Sequence, residues 1–316
     1  MNDDDDIFSS SQNTAGFYRF LVYHRQEQPT QRKGHNQFSD QDSHCKRPSI
    51  ARIIMITIDL DEDREHNLKL IKAALLNSIA PAFKVKIPRE FQLVASECIE
   101  KVTKFYKLNQ YDSKHADEYN GANDTSNVID SCVSCYLTSD LEPCSSNIRQ
   151  EFYTLTKKIL DIMFSDSNFD VNEHLKEKGA AIGGNITVRF YPKGGKGVLG
   201  SHVDGNFMTF LFSNGQGLEI LKDDVSVSPK AIKEFGVPSL TPTLIDLSDS
   251  DWDSISQDES CVVVTVGNSF FEESFVKSSV FSEVQCPTLH RVQRKSKYDR
   301  FSIPFLFDFE SVVEKK

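Results

Sequence analysis

The chain has 316 residues, with 36 lysines and arginines against 46 aspartates and glutamates, which gives a formal net charge of −10 at pH 7. Hydrophobic residues make up 39% of the sequence and charged residues 26%, proportions typical of a soluble globular protein with enough chain to bury a sizeable core. No apolar run approaches the ~20 residues that a membrane-spanning helix needs, and the acidic balance argues against a nucleic-acid partner, because phosphate binding needs clustered lysines and arginines.

The first 50 residues predict a disordered tail. They combine an aspartate run with many serines, glutamines and asparagines and have no sustained hydrophobic period, so they cannot bury enough apolar surface to offset the entropy lost on ordering. The first residues also lack the basic start and the apolar stretch that are typical of a secretory signal. We therefore expect a cytoplasmic protein.

The cysteine content fits the same compartment. Irregular spacing and an odd number of cysteines, without a secretory signal, predict reduced thiols rather than a disulfide framework. The cysteines are Cys45, Cys98, Cys132, Cys135, Cys144, Cys261 and Cys286. Cys132 and Cys135 form a lone CxxC motif, which lacks the second pair that a structural zinc site needs.

Residues 51–182 predict a strand followed by helices. The apolar run 53–58 is rich in β-branched residues and predicts a buried strand. Three helices follow, each with apolar residues recurring on one face; the second begins at Pro88 and the third behind the candidate caps Ser145 or Ser146. The predicted core residues are Leu68, Ile71, Leu75 and Ile79 in the first helix, Phe91, Ala95, Cys98, Val102 and Phe105 in the second, and Ile148, Phe152, Leu155, Ile159 and Ile162 in the third.

From residue 183 to residue 310 the pattern changes to short β segments separated by turn residues. The predicted strands are 186–191, 208–212, 218–221, 261–266 and 301–307. Closely spaced strands without intervening long helices predict an antiparallel sandwich or barrel. The acidic, serine-rich stretch 222–260 interrupts them and predicts a long insertion on one rim. The fold class expected for the whole chain is α+β.

Three short motifs in this β-rich half can carry chemistry: His202-x-Asp204, then His290, then Arg300-x-Ser302. Alternate side chains of a strand share a face, so the two residues of each paired motif are expected to point the same way. Two imidazoles and a carboxylate can cap one face of an octahedral Fe(II) and leave the opposite positions open. An arginine beside a hydroxyl offers a planar clamp for a ligand carboxylate. The motifs therefore predict a metal site beside a carboxylate clamp.

In their order along the chain, these motifs resemble those of the 2-oxoglutarate- and iron(II)-dependent oxygenases, in the group that includes plant flavonoid and gibberellin oxygenases and isopenicillin N synthase. The resemblance covers roughly residues 53–310 and is specific from Asn185 onward. The matching stretches are NITVRFYP at 185–192, GSHVDGNFMTFL at 200–211, GLEI at 217–220, Trp252 before CVVVTVGN at 261–268, and HRV at 290–292 followed by RFS at 300–302. The resemblance implies a double-stranded β-helix (jelly-roll) core in 183–310, with an N-terminal helical region, 51–182, packed on it.

The resemblance also implies roles for the motif residues. His202, Asp204 and His290 would hold Fe(II), and Arg300 and Ser302 would bind the distal carboxylate of the co-substrate 2-oxoglutarate. The implied reaction consumes O₂, releases succinate and CO₂, and hydroxylates or desaturates a small organic molecule.

Nearby aromatic residues have two interpretations each. Tyr191 matches a family tyrosine that adds a hydroxyl at the co-substrate carboxylate, but a core aromatic before a turn fits as well. Phe207, Phe210 and Phe212 are candidates for lining the substrate pocket, although packing in the core of the sandwich is the stronger interpretation.

Three other functions are compatible with the motifs. A same-fold oxidase without 2-oxoglutarate would use Arg300 and Ser302 to grip a substrate carboxylate, as the resemblance to isopenicillin N synthase illustrates. A non-catalytic jelly-roll module would carry a vestigial metal site. A zinc protein would use the same three ligands, but the open facial set favours iron.

Overall fold

A computed structural model of the chain describes residues 55–108, 133–136, 144–166, 170–177, 180–191, 199–234, 247–292 and 300–311. Helices dominate its first part, as the apolar periodicity predicts. They are α1 (Arg64–Leu76), α2 (Arg89–Leu108), α3 (Cys144–Met163) and α4 (Val171–Glu177). Two short helices follow later in the chain, α5 (Pro229–Glu234) and α6 (Ser274–Lys277).

Most of the predicted apolar residues of the first three helices are buried. Ile79 is an exception, because α1 ends at Leu76 and the Ile79 side chain is only half-buried. Leu68, Ile71 and Leu75 of α1 belong to one core cluster with the matching residues of α2 and α3. Phe91 of α2 meets Phe152 of α3 edge to face, with 5.0 Å between the ring centroids. This geometry suits the ring quadrupoles, and it ties the two long helices together. The predictions for Val102 and Phe105 concern side chains outside the described residues.

The start signals of the helices were predicted only in part. Pro88 immediately precedes α2, as expected. The predicted caps of α3 are wrong, because the helix begins at Cys144 and both Ser145 and Ser146 lie inside its first turn. The sequence analysis also missed the cap of α1, where the Asp63 carboxylate accepts a hydrogen bond of 3.0 Å from the backbone N–H of His66.

The strands form two sheets. The strands are β1 (Thr57–Ile58), β2 (Ala82–Lys86), β3 (Val133–Tyr136), β4 (Ala180–Tyr191), β5 (Leu199–His202), β6 (Met208–Ser213), β7 (Leu218–Leu221), β8 (Trp252–Ser254), β9 (Cys261–Val266), β10 (His290–Val292) and β11 (Arg300–Ser311). The larger sheet has the order β1-β2-β9-β6-β11-β4-β3 and the smaller one the order β5-β10-β7-β8. All neighbouring pairs are antiparallel except β1 and β2. The α+β class and the antiparallel pairing are therefore as predicted.

The strand predictions differ from the structure mainly for short strands. The strands expected at 208–212, 218–221 and 261–266 are present with ends within one residue. Those expected at 186–191 and 301–307 are longer, because β4 and β11 pair with each other along most of their length. Five strands were missed, namely β2, β3, β5, β8 and β10.

The predicted insertion 222–260 contributes to the smaller sheet. Its β8 pairs with β7, with Leu221 opposite Trp252. Trp252 is buried in a small apolar cluster with Leu221, Ile232 and Leu289. This stretch is thus held to the sheet by both backbone pairing and apolar contact.

The two faces of the larger sheet have different compositions. On β6, Phe210 and Phe212 are fully buried in the core cluster that also contains the helices. On the opposite face, Thr209 and Leu211 line a cavity that also receives residues of β7 and β10. Since Phe207 is also in the core cluster, the core interpretation of the three phenylalanines is confirmed.

Two further sequence predictions can be compared with the described residues. None of the described helices is both long and apolar enough to cross a membrane. Within the same ranges, Cys98, Cys261 and Cys286 form no disulfide. The side chains of the Cys132–Cys135 motif lie outside the described residues.

We expect Asp308→Asn to stabilise the protein at neutral pH. Burial raises the pKa of Asp308 on β11 to about 6, and the nearby carboxylates of Glu273 and Glu272 also raise it. Because the folded-state pKa is above the unfolded value, the wild type loses stability as the pH rises from about 4 to about 6. In the wild type, Asp308 Oδ1 accepts a hydrogen bond of 3.1 Å from the Phe309 N–H. The side-chain oxygen of the asparagine can accept the same hydrogen bond.

Urea unfolding measures this effect. Solvent screens a carboxylate that is only partly buried, so at pH 7 the variant should be more stable by about 1–2 kcal/mol, and the difference should vanish near pH 4. Asp224→Asn, which changes an exposed carboxylate, should have no such effect. Equal stabilisation at both pH values would contradict the burial argument.

Candidate metal centre

Three predicted metal ligands meet at one edge of the smaller sheet. His202 is the last residue of β5 and His290 the first of β10, and the two stand directly opposite each other in the antiparallel pair. Their ring centroids are 4.2 Å apart. The Asp204 carboxylate approaches both, with 3.6 Å from Oδ1 to His202 Nε2 and 3.8 Å from Oδ2 to His290 Nε2.

One ligand atom from each of the three side chains lies within 4.8 Å of the other two, so the group could hold a metal ion. Two ligands of one ion with bonds of about 2.1 Å can be at most about 4.2 Å apart, and the two distances from Asp204 oxygens to histidine Nε2 atoms, 3.6 and 3.8 Å, lie within that limit. The position of Asp204 relative to the strand differs from the prediction. His202 and Asp204 do not share a strand face, because β5 ends at His202 and Asp204 follows in the turn before β6.

Backbone carbonyls orient both imidazoles. His202 Nδ1 lies 2.7 Å from the carbonyl oxygen of Gly200, and His290 Nδ1 lies 3.0 Å from that of Thr288. A carbonyl oxygen can only accept, so each Nδ1 carries the proton and donates it. Each Nε2 is then unprotonated, and its lone pair faces Asp204. This is the tautomer in which Nε2 can bind a metal.

A threonine and a glycine fix the carboxylate. Thr209 on β6 donates its hydroxyl to Asp204 Oδ2 at 2.6 Å. The turn that carries Asp204 also accepts the Asn268 N–H on its backbone oxygen at 2.9 Å. The neighbouring Gly267 has to be a glycine, since a Cβ there would lie 1.9 Å from the carbonyl oxygen of Asn206.

The ionisation of the cluster suits metal binding. Burial lowers the pKa of His202, and the adjacent His290 lowers it further, so His202 is neutral at pH 7. Burial alone would raise the pKa of Asp204, but the two imidazoles and the Thr209 hydroxyl lower it more, and the net result is a pKa below its ordinary value. The cluster thus offers a carboxylate and neutral imidazole nitrogen.

A cavity that is partly open to solvent lies beside this cluster. One wall is the inner face of the larger sheet, and the other comes from β7, β10 and the turn of Asp204. The lining residues are Arg189, Tyr191, Asp204, Thr209, Leu211, Leu218, Thr265, His290, Val292, Arg300, Ser302, Pro304 and Leu306. This cavity is thus lined by five of the six predicted site residues, namely Tyr191, Asp204, His290, Arg300 and Ser302.

Arg300 and Ser302 occupy this cavity as neighbours on β11. Arg300 is only 3% exposed and Ser302 only 1% exposed. The Arg300 guanidinium donates from Nε to the carbonyl oxygen of Gly215 and from Nη2 to Gln257 Oε1, both at 3.3 Å. A buried, hydrogen-bonded arginine of this kind is a preorganised cation for a ligand carboxylate.

Tyr191 supports Arg300 in a way that neither interpretation anticipated. The two residues are directly opposite on β4 and β11, and the Arg300 Cζ lies 4.8 Å from the centroid of the tyrosine ring. This is a cation–π contact, which stabilises the charge and orients the guanidinium plane. Tyr191 is 3% exposed and lines the cavity, so it is both a buried aromatic and part of the pocket.

Three polar residues that contact the predicted site residues, Arg189, Thr209 and Gln257, were not among the predictions. Arg189 lines the cavity directly opposite Ser302, and its charge acts on both His202 and Asp204. It was detectable from its place two residues before Tyr191 on the same strand face. Thr209 and Gln257 had no such signal, because their contacts with the site depend on tertiary packing.

Comparison with known proteins places this fold. No protein-family model matches the sequence, and a search of the curated proteins finds no match. The structure is similar to JOX2 in complex with 2OG, Fe and JA, at 16% identity and a TM-score of 0.55, over 82% of this chain and 76% of JOX2. It is also similar to the auxin-oxidation dioxygenase AtDAO1 of Arabidopsis thaliana in complex with 2-oxoglutarate, at 17% identity and a TM-score of 0.54, over 81% of this chain and 93% of AtDAO1.

A third similar structure is that of a full-length Neurospora crassa protein in complex with alpha-KG and 5-formyluracil, at 14% identity and a TM-score of 0.51, over 81% of this chain and 84% of the fungal one. Similarity at these identities is similarity of fold. The chain has the fold of the 2-oxoglutarate–iron(II) oxygenases, so the resemblance seen in the sequence is confirmed at the level of the fold.

We expect Thr209→Val to weaken metal binding without removing a ligand. The substitution keeps the shape of the side chain but deletes the hydroxyl that orients Asp204. Loss of such an outer hydrogen bond costs about tenfold or more in metal affinity. Anaerobic titration with Fe(II) or Mn(II) measures the change.

Thr187→Val is the matched control, because Thr187 is also buried and its hydroxyl has no hydrogen-bond partner within the described ranges. It should bind metal like the wild type. Equal metal affinities for wild type and Thr209→Val would mean that Thr209 does not position the carboxylate.

Proposed function

We propose that this protein is an Fe(II)- and 2-oxoglutarate-dependent oxygenase that oxidises a small organic molecule. The observation that carries the proposal is the gathering of His202, Asp204 and His290 at one end of a cavity that also contains Arg300 and Ser302. A metal site and a carboxylate clamp in one cavity are what a chelating dicarboxylic co-substrate needs. The two sheets that enclose the cavity are interpreted here as a jelly-roll core.

The donor set fits ferrous iron. Two imidazole nitrogens and one carboxylate oxygen are the ligands of non-haem Fe(II) oxygenases, and they leave coordination positions open. His202, Asp204 and His290 would hold the ion. When bound there, iron would supply O₂ activation coupled to the decarboxylation of 2-oxoglutarate to succinate and CO₂. A zinc site would use the same donors, but structural zinc sites are closed by a fourth protein ligand, and the cluster found in the described residues has three members.

Arg300 and Ser302 would bind the distal carboxylate of 2-oxoglutarate. The guanidinium is held by Gly215 and Gln257 and faces the ring of Tyr191, so it needs little reorganisation to bind an anion. The Ser302 hydroxyl, two residues along the same strand face, can add a hydrogen bond. The two residues would thereby set the distance between the distal carboxylate and the metal end of the cavity.

The apolar part of the cavity would hold the organic substrate. Leu211, Leu218, Val292 and Leu306 line it from both sheets. These apolar side chains would contact the apolar part of a substrate, and the polar groups of the clamp would orient the co-substrate. JOX2 and the Neurospora crassa protein were solved with small organic molecules, JA and 5-formyluracil, which supports a substrate of that size.

The direct test is turnover of 2-oxoglutarate. Wild type with Fe(II) and O₂ should convert 2-oxoglutarate to succinate, and candidate metabolites should stimulate the conversion. His202→Ala and Asp204→Ala should abolish it, because each removes a metal ligand. Arg300→Ala should mainly raise the apparent KM for 2-oxoglutarate, by about tenfold or more, because it deletes a charge-assisted clamp.

Other outcomes would assign a different function. Oxidation of a substrate without succinate release would indicate a same-fold oxidase in which Arg300 and Ser302 bind a substrate carboxylate. Neither metal binding nor oxygen uptake would indicate a binding module. An unchanged 2-oxoglutarate requirement in an active Arg300→Ala variant would refute the clamp.

A further inference from the structure

Gln257 accepts a hydrogen bond from the Arg300 guanidinium. It lies between β8 and β9, is 5% exposed, and accepts the Arg300 Nη2–H on Oε1 at 3.3 Å. It belongs to the stretch 222–260, of which the resemblance covers only Trp252. Its contact with Arg300 therefore follows from the structure alone.

The backbone of Gln257 is fixed by a second glutamine. Gln216 Nε2 donates to the carbonyl oxygen of Gln257 at 2.9 Å, and the Gln257 N–H donates to Gln216 Oε1 at 3.3 Å. Gln216 lies in the turn between β6 and β7, the same turn whose Gly215 carbonyl accepts from Arg300 Nε. The adjacent Gly217 has φ +134°, and a Cβ there would lie 3.5 Å from Arg300 Nε, so the turn runs directly beside the guanidinium.

The Gln257 amide is satisfied on one side only. Its Oε1 bonds the guanidinium, whereas its Nε2 is buried and has no hydrogen-bond partner in the described part of the chain. Rotating the amide would place its NH₂ group against the Nη2–H donor, so the orientation is fixed by Arg300. A buried donor left unpaired is unfavourable, and the amide adopts this orientation because it lets Oε1 accept from Arg300.

We propose that Gln257 is a positioning residue for binding of the distal carboxylate of the co-substrate: it holds the Arg300 guanidinium through a neutral acceptor and thereby sets the affinity for that carboxylate. The proposal rests on the function proposed above. A glutamate in this place would hold the arginine as well, but its own negative charge would neutralise the guanidinium. A neutral amide orients the guanidinium and leaves its positive charge available to the carboxylate of the ligand.

Two substitutions separate the effect of an added negative charge at position 257 from the effect of the lost hydrogen bond. Gln257→Glu has nearly the same shape but places a carboxylate against Arg300, and we expect it to weaken 2-oxoglutarate binding by about 30-fold or more. Gln257→Leu removes the hydrogen bonds without adding charge, and we expect a smaller loss of about 5- to 10-fold. The measurement is calorimetric titration of 2-oxoglutarate into Mn(II)-loaded protein, which does not depend on turnover.

Oxalate and a neighbouring residue provide the controls. Oxalate can chelate the metal but has no distal carboxylate, so its affinity should be the same in wild type and both variants. Ser256→Glu places the same charge one residue away on an exposed side chain, and it should bind 2-oxoglutarate like the wild type.

The outcomes distinguish this inference from the proposed function. If wild type binds Mn(II) but not 2-oxoglutarate, the co-substrate assignment is wrong and the role of Gln257 is overturned with it. If wild type binds 2-oxoglutarate and Gln257→Glu binds it equally well, only the role of Gln257 is overturned. A parallel loss of oxalate binding would also overturn it, because the substitution would then act through the fold of the site.

Discussion

The antiparallel pairing of β5 with β10 is the contact on which the site depends. It sets His202 directly opposite His290, so two imidazoles from distant parts of the sequence stand side by side. A slip of one residue would send the imidazole of His290 to the other face of the sheet. On the other side of β10, Arg291 helps to keep the register through an ion pair of 2.6 Å between its Nε and Glu219 Oε2 on β7.

The larger sheet provides the second half of the pocket by separating apolar and polar residues between its faces. Phenylalanines such as Phe210 and Phe305 pack toward the helices, and Phe152 of α3 lies 5.4 Å from Phe305 between ring centroids. Their burial stabilises the sheet without any contribution from the cavity side. That side can therefore carry Thr209, Arg300 and Ser302, which are buried polar residues with little value for packing.

The sequence predicted the strands that have a pattern of their own better than the short strands and tertiary contacts around the ligands. The alternation of apolar and polar residues located β6, β7 and β9, and the Arg300-x-Ser302 motif located one wall of the pocket, because both signals lie within a single strand. β5 and β10 are too short to have a hydrophobic period of their own, and they were missed although they carry two of the predicted ligands. Gln257 contacts Arg300 only because of the tertiary fold, which no local pattern encodes.

Anaerobic titration of the metal-free protein with Fe(II), followed by 2-oxoglutarate, tests the central claim most directly. The account predicts that one Fe(II) binds per chain, that 2-oxoglutarate binds with much higher affinity once Fe(II) is present, and that Asp204→Ala removes both effects. Absence of Fe(II) binding, or 2-oxoglutarate binding that is indifferent to both the metal and Asp204, would contradict it.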